Sequence, residues 1–507
     1  MRQVERYIYR PMPMHNPEPF FPALRHLLGP LGRRTHQALQ QVRPATLAQI
    51  EDRLSPALPA QLLHKRSSRY HSRERVYTRV RTFWSWTWQV LQANTSCRAV
   101  VRQLQALFAA EEGPEVDEKT GAYCAARRKL LLPWLKKIFT ASFHSAEGRA
   151  PQSRLLGGRP LRAVDGSGCR LQDTPRNRKA FPPSKNQPKD VGFPYLRIVA
   201  LFSAWSGAIL ARATGSLQTS ELELFIGLLS HFEKDDIVVG DRAYGSYVIA
   251  ALLQSAGIDL IARLNACRRV DFRKATKKLG RGEGLFNWKK PAQRSPLVLL
   301  EKWLSLPGEL TVRIIHARIQ QKGFRVRQLS IVTTLLDAQL YPTEEILAGY
   351  AKRWRMEMCL DDLKTTLGME QLSCRTPAMV QKELLVFLTA HNLLRWMMAE
   401  AAQNEQVQLE RISFKGTLDA FREWAQAIAQ VGRSPRHKRK RAKLWGQFLA
   451  TLAADLVPER PGRREPRAVK KRSKYPKLNK PRHQYVERWS RSKRRRVATA
   501  KRQHGLI

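Results

Sequence analysis

The sequence predicts a mixed α/β core flanked by helical segments, on three observations. Between residues 155 and 265, apolar runs of strand length alternate with runs of helical period. Residues 266–335 then become basic and Gly/Pro-containing around two more strand-like runs. Residues 433–507 carry 26 Lys/Arg against 4 Asp/Glu, a composition that cannot form a core and is expected to be disordered unless bound, apart from a possible helix at 444–456.

Composition narrows the function. A chain of 507 residues, 43% of them apolar, can build two to four domains with a sizeable core. The formal net charge of +48 calls for a polyanionic partner, for which nucleic acid is the simplest candidate and an anionic membrane surface the rival. No apolar run approaches the roughly 18 residues of a spanning helix, and the start MRQVERYIYRPMP lacks a signal peptide's apolar stretch. The six cysteines form no CxxC and no Cys/His pair at zinc spacing. They read as reduced packing residues, which points to the cytoplasm.

The elements follow in order. Residues 1–150 read as a helical domain. In RERVYTRVRTFWSWTWQVLQ (73–92), arginines mix with Trp84, Trp86 and Trp88, and the NTS at 94–96 can cap the next helix, CRAVVRQLQALF. This pair suits either a DNA-contacting module or a plain bundle. LRAVDGSGCRL (161–171) reads as a strand ending near Asp165. YLRIVALFSAWSGAILARATG (195–215) reads as a hairpin about Ser206-Gly207. SELELFIGLLSHF (220–232) opens with Ser220 and Glu223 at capping-box spacing. DIVVGDRAYGSY (236–247) is a short apolar strand ending at Asp241, followed by the helix VIAALLQSAG and the strand IDLIARL. In 266–335, LTVRIIHARI and RVRQLSIVTTLL read as strands of a β-rich insertion. Pro342, Thr343, Glu344 and Glu345 then open a helix, and a second helix, 380–402, packs behind it. The expected domains are 1–150, 151–265 with 336–402, the insertion 266–335, and a basic extension 403–507.

The helix opened by Pro342 runs into YAKRWRMEMCLDDLK (350–364). Tyr350, Arg353, Glu357 and Lys364, at offsets 0, 3, 7 and 14, fall near 0°, −60°, −20° and −40° at about 100° per residue, a polar strip about 21 Å long. Met356, Leu360, Leu363 and Leu367 form an apolar stripe beside it. Taken alone, the strip fits a solvated face with Arg353 and Glu357 as an i,i+4 ion pair. Three carboxylates change that reading. Asp165 and Asp241 sit at strand ends, where ligands bind in α/β sheets, and Glu357 lies on the strip. Singly, Asp165 could shape a turn and Asp241 could pair with Arg242. Jointly, on so basic a chain, they form a plausible cage for two Mg²⁺ ions cleaving a phosphodiester.

The spacing Tyr350-x2-Arg353-x3-Glu357-x6-Lys364 resembles the YREK signature of the DDE transposases of insertion sequence family four. VDGSG around Asp165, GDRAYGSY around Asp241, the TTLLD-x4-P approach at 333–342 and AYCAARRKL at 122–130 support it. The resemblance covers roughly residues 40–400. It implies a ribonuclease H-like core in which Asp165, Asp241 and Glu357 hold two Mg²⁺ ions, with Mn²⁺ able to substitute. Tyr350, Arg353 and Lys364 would grip DNA phosphates near the cut, with Arg242 as a further DNA contact. It implies that water frees a 3′ hydroxyl at the element ends and that this hydroxyl attacks target DNA. A homodimer would act on double-stranded DNA. Some relatives flip a base onto a tryptophan of the insertion; Trp288 and Trp303 are the candidates, and core packing is the alternative for both. Asp361 ranks behind Glu357 as third carboxylate. A metal-dependent nuclease of the same fold, or a transposase-derived DNA-binding protein without chemistry, are the competing readings.

Overall fold

The computed structural model describes residues 53–64 and 76–458, apart from short stretches at 93–94, 111–112, 152, 187–190, 266, 319–327, 430 and 432–434, together with positions 478, 481 and 484. The expectation that the end of the chain is disordered falls almost wholly outside these residues.

A nine-stranded sheet in the order β3-β2-β1-β4-β5-β9-β8-β7-β6 forms the centre. The strands are β1 Leu161–Arg170, β2 Tyr195–Ser203, β3 Ile209–Gly215, β4 Ile237–Gly240, β5 Asp259–Arg263, β6 Lys277–Gly280, β7 Glu283–Lys289, β8 Glu309–Arg318 and β9 Gln328–Thr333. β1 pairs antiparallel with β2 and parallel with β4, and β4 pairs parallel with β5. This five-strand half is a ribonuclease H-like core. The strands of 266–335 extend the same sheet, since β9 pairs antiparallel with β5. β6 and β7 went unread in the sequence because Lys277 and Lys278 leave that edge strand no apolar face.

Helices cover both faces. Before β1 come α1 Ala60–His64, α2 Arg79–Leu91, α3 Cys97–Ala110, α4 Gly121–Lys129 and α5 Leu132–Arg149. Within the sheet region lie α6 Pro175–Ala180, α7 Glu221–Ile226, α8 Tyr247–Ser255 and α9 Leu300–Ser305. After it follow α10 Thr343–Ala351, α11 Arg353–Asp361, a π turn Asp362–Thr366, α12 Pro377–Asn404, α13 Phe414–Ala429 and α14 Lys438–Ala454. Among the described residues no helix is long and apolar enough to cross a membrane.

Strand alternation divides the core. Ala163, Ile198, Ala200 and Phe202 pack with α11, α12 and the N-terminal helices. Val164, Val199 and Leu201 pack with α7, α8 and the insertion. Because helices cover both faces, β2 is a near-continuous apolar run from Leu196 to Phe202, broken by Arg197, as buried strands are. Trp84, Trp86 and Trp88 are buried in the first core, where they pack the helical bundle. The capping expectations hold: Ser96 Oγ accepts from Ala99 N–H, and Ser220 with Glu223 forms a reciprocal capping box. The helix expected at 444–456 begins earlier, at Lys438, and buries Phe448, Leu449 and Leu452. The basic extension thus starts with a core helix.

One buried amide fixes the sheet edge to the helices. Asn392 Oδ1 accepts from Ile209 N–H at 2.8 Å, while its Nδ2 donates to the Ile209 carbonyl at 3.0 Å and to Ser142 Oγ at 3.2 Å. Asn392→Leu leaves both backbone groups of Ile209 buried without these partners. A loss on the order of 2–3 kcal/mol is expected, seen as a lower thermal midpoint. An unchanged midpoint would mean that the edge is held by other contacts.

Candidate active site

Strand pairing brings the two aspartates level. Leu161, Arg162 and Ala163 of β1 pair with Ile237, Val238 and Val239 of β4. Continued two residues, this parallel register sets Asp165 opposite Asp241. β1 does not end at Asp165, as its Gly-rich continuation suggested; it runs on to Arg170, and Asp165 pairs with Ala200. The glycines serve close approach instead of a turn. A Cβ on Gly166 would lie 2.5 Å from the Glu221 carboxyl, and one on Gly168 would collide with the Tyr195 ring.

Asp241 follows β4 and accepts the Ala243 N–H at 2.7 Å. An open cavity of about 480 Å³ lies over it. Asp241, Arg242 and Ala243 line one side, Arg263 and Asn265 another, and Tyr350, Arg353 and Glu357 the third. Tyr350 comes from α10, and α11 delivers Arg353 and Glu357 by packing Met356 and Leu360 into the core. Leu363 and Leu367 are buried as well, as the apolar stripe predicts.

Glu357 is bound by Arg353, whose Nη1 donates to Oε1 at 2.6 Å. The Arg353 guanidinium lies 4.7 Å from the Trp354 ring centroid and 5.7 Å from that of Tyr350. The Tyr350 ring is itself buried, in a cluster with Leu156, Ile261 and Ile346. Asp361 is exposed and accepts the Thr365 hydroxyl at 3.0 Å.

The polar strip is not one continuous α-helix. Lys352 separates α10 from α11, and the π turn follows at Asp362. Lys364 lies in that turn, near Cys169 of β1, whose thiol burial pushes up to about 12 against the pull of Lys364, and does not line the cavity. Trp288 and Trp303 are each 6% exposed within the core shared by the insertion and α8. Arg268 lies 4.2 Å over the first ring and Lys290 5.1 Å over the second. In this structure both do the packing work that was the alternative to stacking a flipped base.

Sequence reasoning missed three supporting residues. Glu221 stands over Gly166 and accepts the Tyr244 hydroxyl at 2.9 Å, which adds a fourth carboxylate beside Asp165. Only the steric demand for glycine after Asp165 hints at it. Glu410, in the α12–α13 connection, pairs with both Lys352 and Arg355 and so anchors the joint of the signature helix. Burial opposes its charge, but Arg355 and Lys352 hold its carboxyl below the usual value. Asp362 is pushed up to about 7 by burial, with Arg395 opposing.

The donor set is all oxygen, the chemistry that Mg²⁺ and Mn²⁺ prefer. Asp165 is pushed up to about 6, first by burial and then by Glu221 and Glu357, against the Gly166 N–H and Arg353. A divalent cation would relieve that crowding. Among the described residues, no three His, Cys, Asp or Glu side chains are gathered closely enough to hold a metal. Glu357 is turned to Arg353.

The crowding has a measurable cost. Asp165 binds its proton more tightly folded than unfolded, so it costs nothing below about pH 4 and its full penalty above about pH 6. In a chelator, Asp165→Asn should stabilise the fold by on the order of 2 kcal/mol at pH 7.5, and by much less at pH 4. Thermal midpoints at both pH values test this. Equal midpoints at pH 7.5 would show that the carboxyl is not strained.

The transposase DDE domain family matches residues 156–393. The transposase InsG for insertion sequence element IS4 of Escherichia coli (strain K12) is 27% identical over 361 residues, covering 70% of this chain and 77% of that protein. A cryo-EM structure of the piggyBac transposase synaptic complex with hairpin DNA aligns with a TM-score of 0.35 at 11% identity, over 81% of this chain and 85% of that one. Residues 156–393 thus match the transposase DDE domain, and the chain is similar to a transposase of insertion sequence element IS4.

Proposed function

We propose that the protein binds the ends of its own insertion sequence, cuts phosphodiester bonds there and joins the freed 3′ hydroxyls to target DNA. The observation that supports this is one open cavity lined by Asp241, Glu357, Arg242, Arg263 and Arg353, with Asp165 of β1 near enough to Glu357 for the two charges to interact. Asp165, Asp241 and Glu357 are the residues to hold two Mg²⁺ or Mn²⁺ ions. Bound there, the ions supply Lewis-acid activation of the attacking oxygen and charge relief for the leaving one.

The protein's own groups do the rest. The carboxylates fix where the reacting phosphate sits. Arg242 and Arg263 offer forked donors to its neighbours on the strand. Arg353 neutralises Glu357 until DNA arrives, and then has a phosphate to bind in its place. Tyr350 backs Arg353 with its ring, and Lys364 serves the strand further along as a movable charge. The net charge of +48 suits a polyanionic partner such as double-stranded DNA, and paired element ends favour a homodimer.

Glu357→Gln is nearly isosteric and removes one ligand charge. It should abolish Mg²⁺-dependent nicking of end DNA while binding stays within a few-fold in a gel shift. Asp361→Asn should nick at close to the parent rate. Robust nicking by Glu357→Gln would remove Glu357 from the site. Nicking by the parent chain with no joining to target DNA would favour a nuclease over a transposase.

A further inference from the structure

A second cluster lies in the helical region before β1, apart from the carboxylates. Cys97 opens α3, where Ser96 caps the helix. Gln89 of α2 points its Nε2 at Cys97 Sγ, 3.8 Å away. Its Oε1 accepts from the Tyr123 hydroxyl at 3.0 Å and from Arg127 Nη1 at 3.3 Å. Cys124 and Arg127 lie one turn apart on α4, and Cys124 directly follows Tyr123, which shares Gln89 with Cys97.

Arg127 supplies the independent observation. It is 7% exposed, its guanidinium packed 4.6 Å from the Trp86 ring centroid and 5.2 Å from that of Tyr123. Among the described residues it forms no carboxylate ion pair, and its Nε finds no hydrogen-bond partner. A buried cation without a counter-charge is costly. Of the groups around it, Tyr123 and the thiols of Cys374 and Cys124 are pushed up and stay neutral, which leaves the Cys97 thiolate to supply one.

We propose that Cys97 and Cys124 form a peroxide-oxidisable dithiol, with Cys97 as the attacking thiolate and Cys124 as the resolving thiol. The Cys97 thiolate attacks one oxygen of a hydroperoxide. The S–O bond forms, the O–O bond breaks, and the departing oxygen takes a proton to leave as water or an alcohol. Cys97 becomes a sulfenic acid as the peroxide is reduced by two electrons. The Cys124 sulfur then attacks the Cys97 sulfur and its proton goes to the departing hydroxyl. The S–S bond forms, the S–O bond breaks and water leaves. Two thiols and one hydroperoxide give one disulfide between the first turns of α3 and α4.

The surroundings suit these roles. Cys97 is pushed down to about 6, first by the hydrogen bond with Cys124 and also by Arg127 and Gln89, against burial and Glu383 of α12. The same hydrogen bond, with burial, pushes Cys124 up. Both are half-buried, within reach of a small peroxide, whereas Cys169, Cys359 and Cys374 are buried.

The test treats the full chain with hydrogen peroxide and maps its peptides without reduction. A linked Cys97–Cys124 peptide is expected, with Cys169 and Cys359 still reduced. In Cys124→Ser, oxidation should stop at a Cys97 sulfenic acid that dimedone traps. Alkylation of Cys97 by iodoacetamide should titrate near pH 6. At that pH it should run about tenfold faster than for a cysteine in an unstructured peptide, after allowing for the weaker nucleophilicity of a low-pKa thiolate. Oxidation of the exposed Cys267 while Cys97 and Cys124 stay reduced would overturn the proposal. So would alkylation of Cys97 no faster than the peptide. The parent chain decides the pairing even if Cys124→Ser fails to fold.

Discussion

The parallel pairing of β1 with β4 is the constraint on which the site depends. Its register, Leu161 against Ile237, sets Asp165 and Asp241 level although 75 residues separate them in sequence. A slip of one residue would turn one carboxylate to the opposite face. The pairing is buried on both sides, by α11 and α12 on one and by α7 and α8 on the other. The hairpin β2–β3 and the amide of Asn392 secure the edge beside β1. Glu357 then needs only a helix lying over β1, and Glu410 holds the joint of that helix through Lys352 and Arg355.

The site trades stability for charge. Asp165, Glu221 and Glu357 share a small, partly buried volume, and the crowding raises the Asp165 carboxyl. Arg353 offsets part of this through Glu357, and the same guanidinium is a natural partner for a phosphate. On the proposed function, the ion pair seen here and the catalytic role are two states of one contact. A cation-lined cavity on so basic a chain can draw in a polyanion before any specific contact forms.

Much of this was legible. A short apolar strand stopping at Asp241, the capping box at Ser220 and the apolar stripe through Leu367 follow from period and capping chemistry. β1 was read too short because glycines after Asp165 look like turn punctuation; they are there because Glu221 and Tyr195 lie against the strand. Glu221 and Glu410 act through contacts across 20 residues or more, which no local pattern encodes. The π turn that carries Lys364 has no periodic signature either. Trp288 and Trp303 sit among basic residues, yet fill a core that composition hid.

The most direct test of the convergent carboxylates is to map a bound metal along the chain. With Fe²⁺ in place of Mg²⁺, ascorbate and peroxide cut the backbone next to the ion. The account predicts cuts clustered near residues 165, 241 and 357, all suppressed by excess Mg²⁺. Cuts that miss the region of Glu357, or that persist unchanged under Mg²⁺, would contradict it.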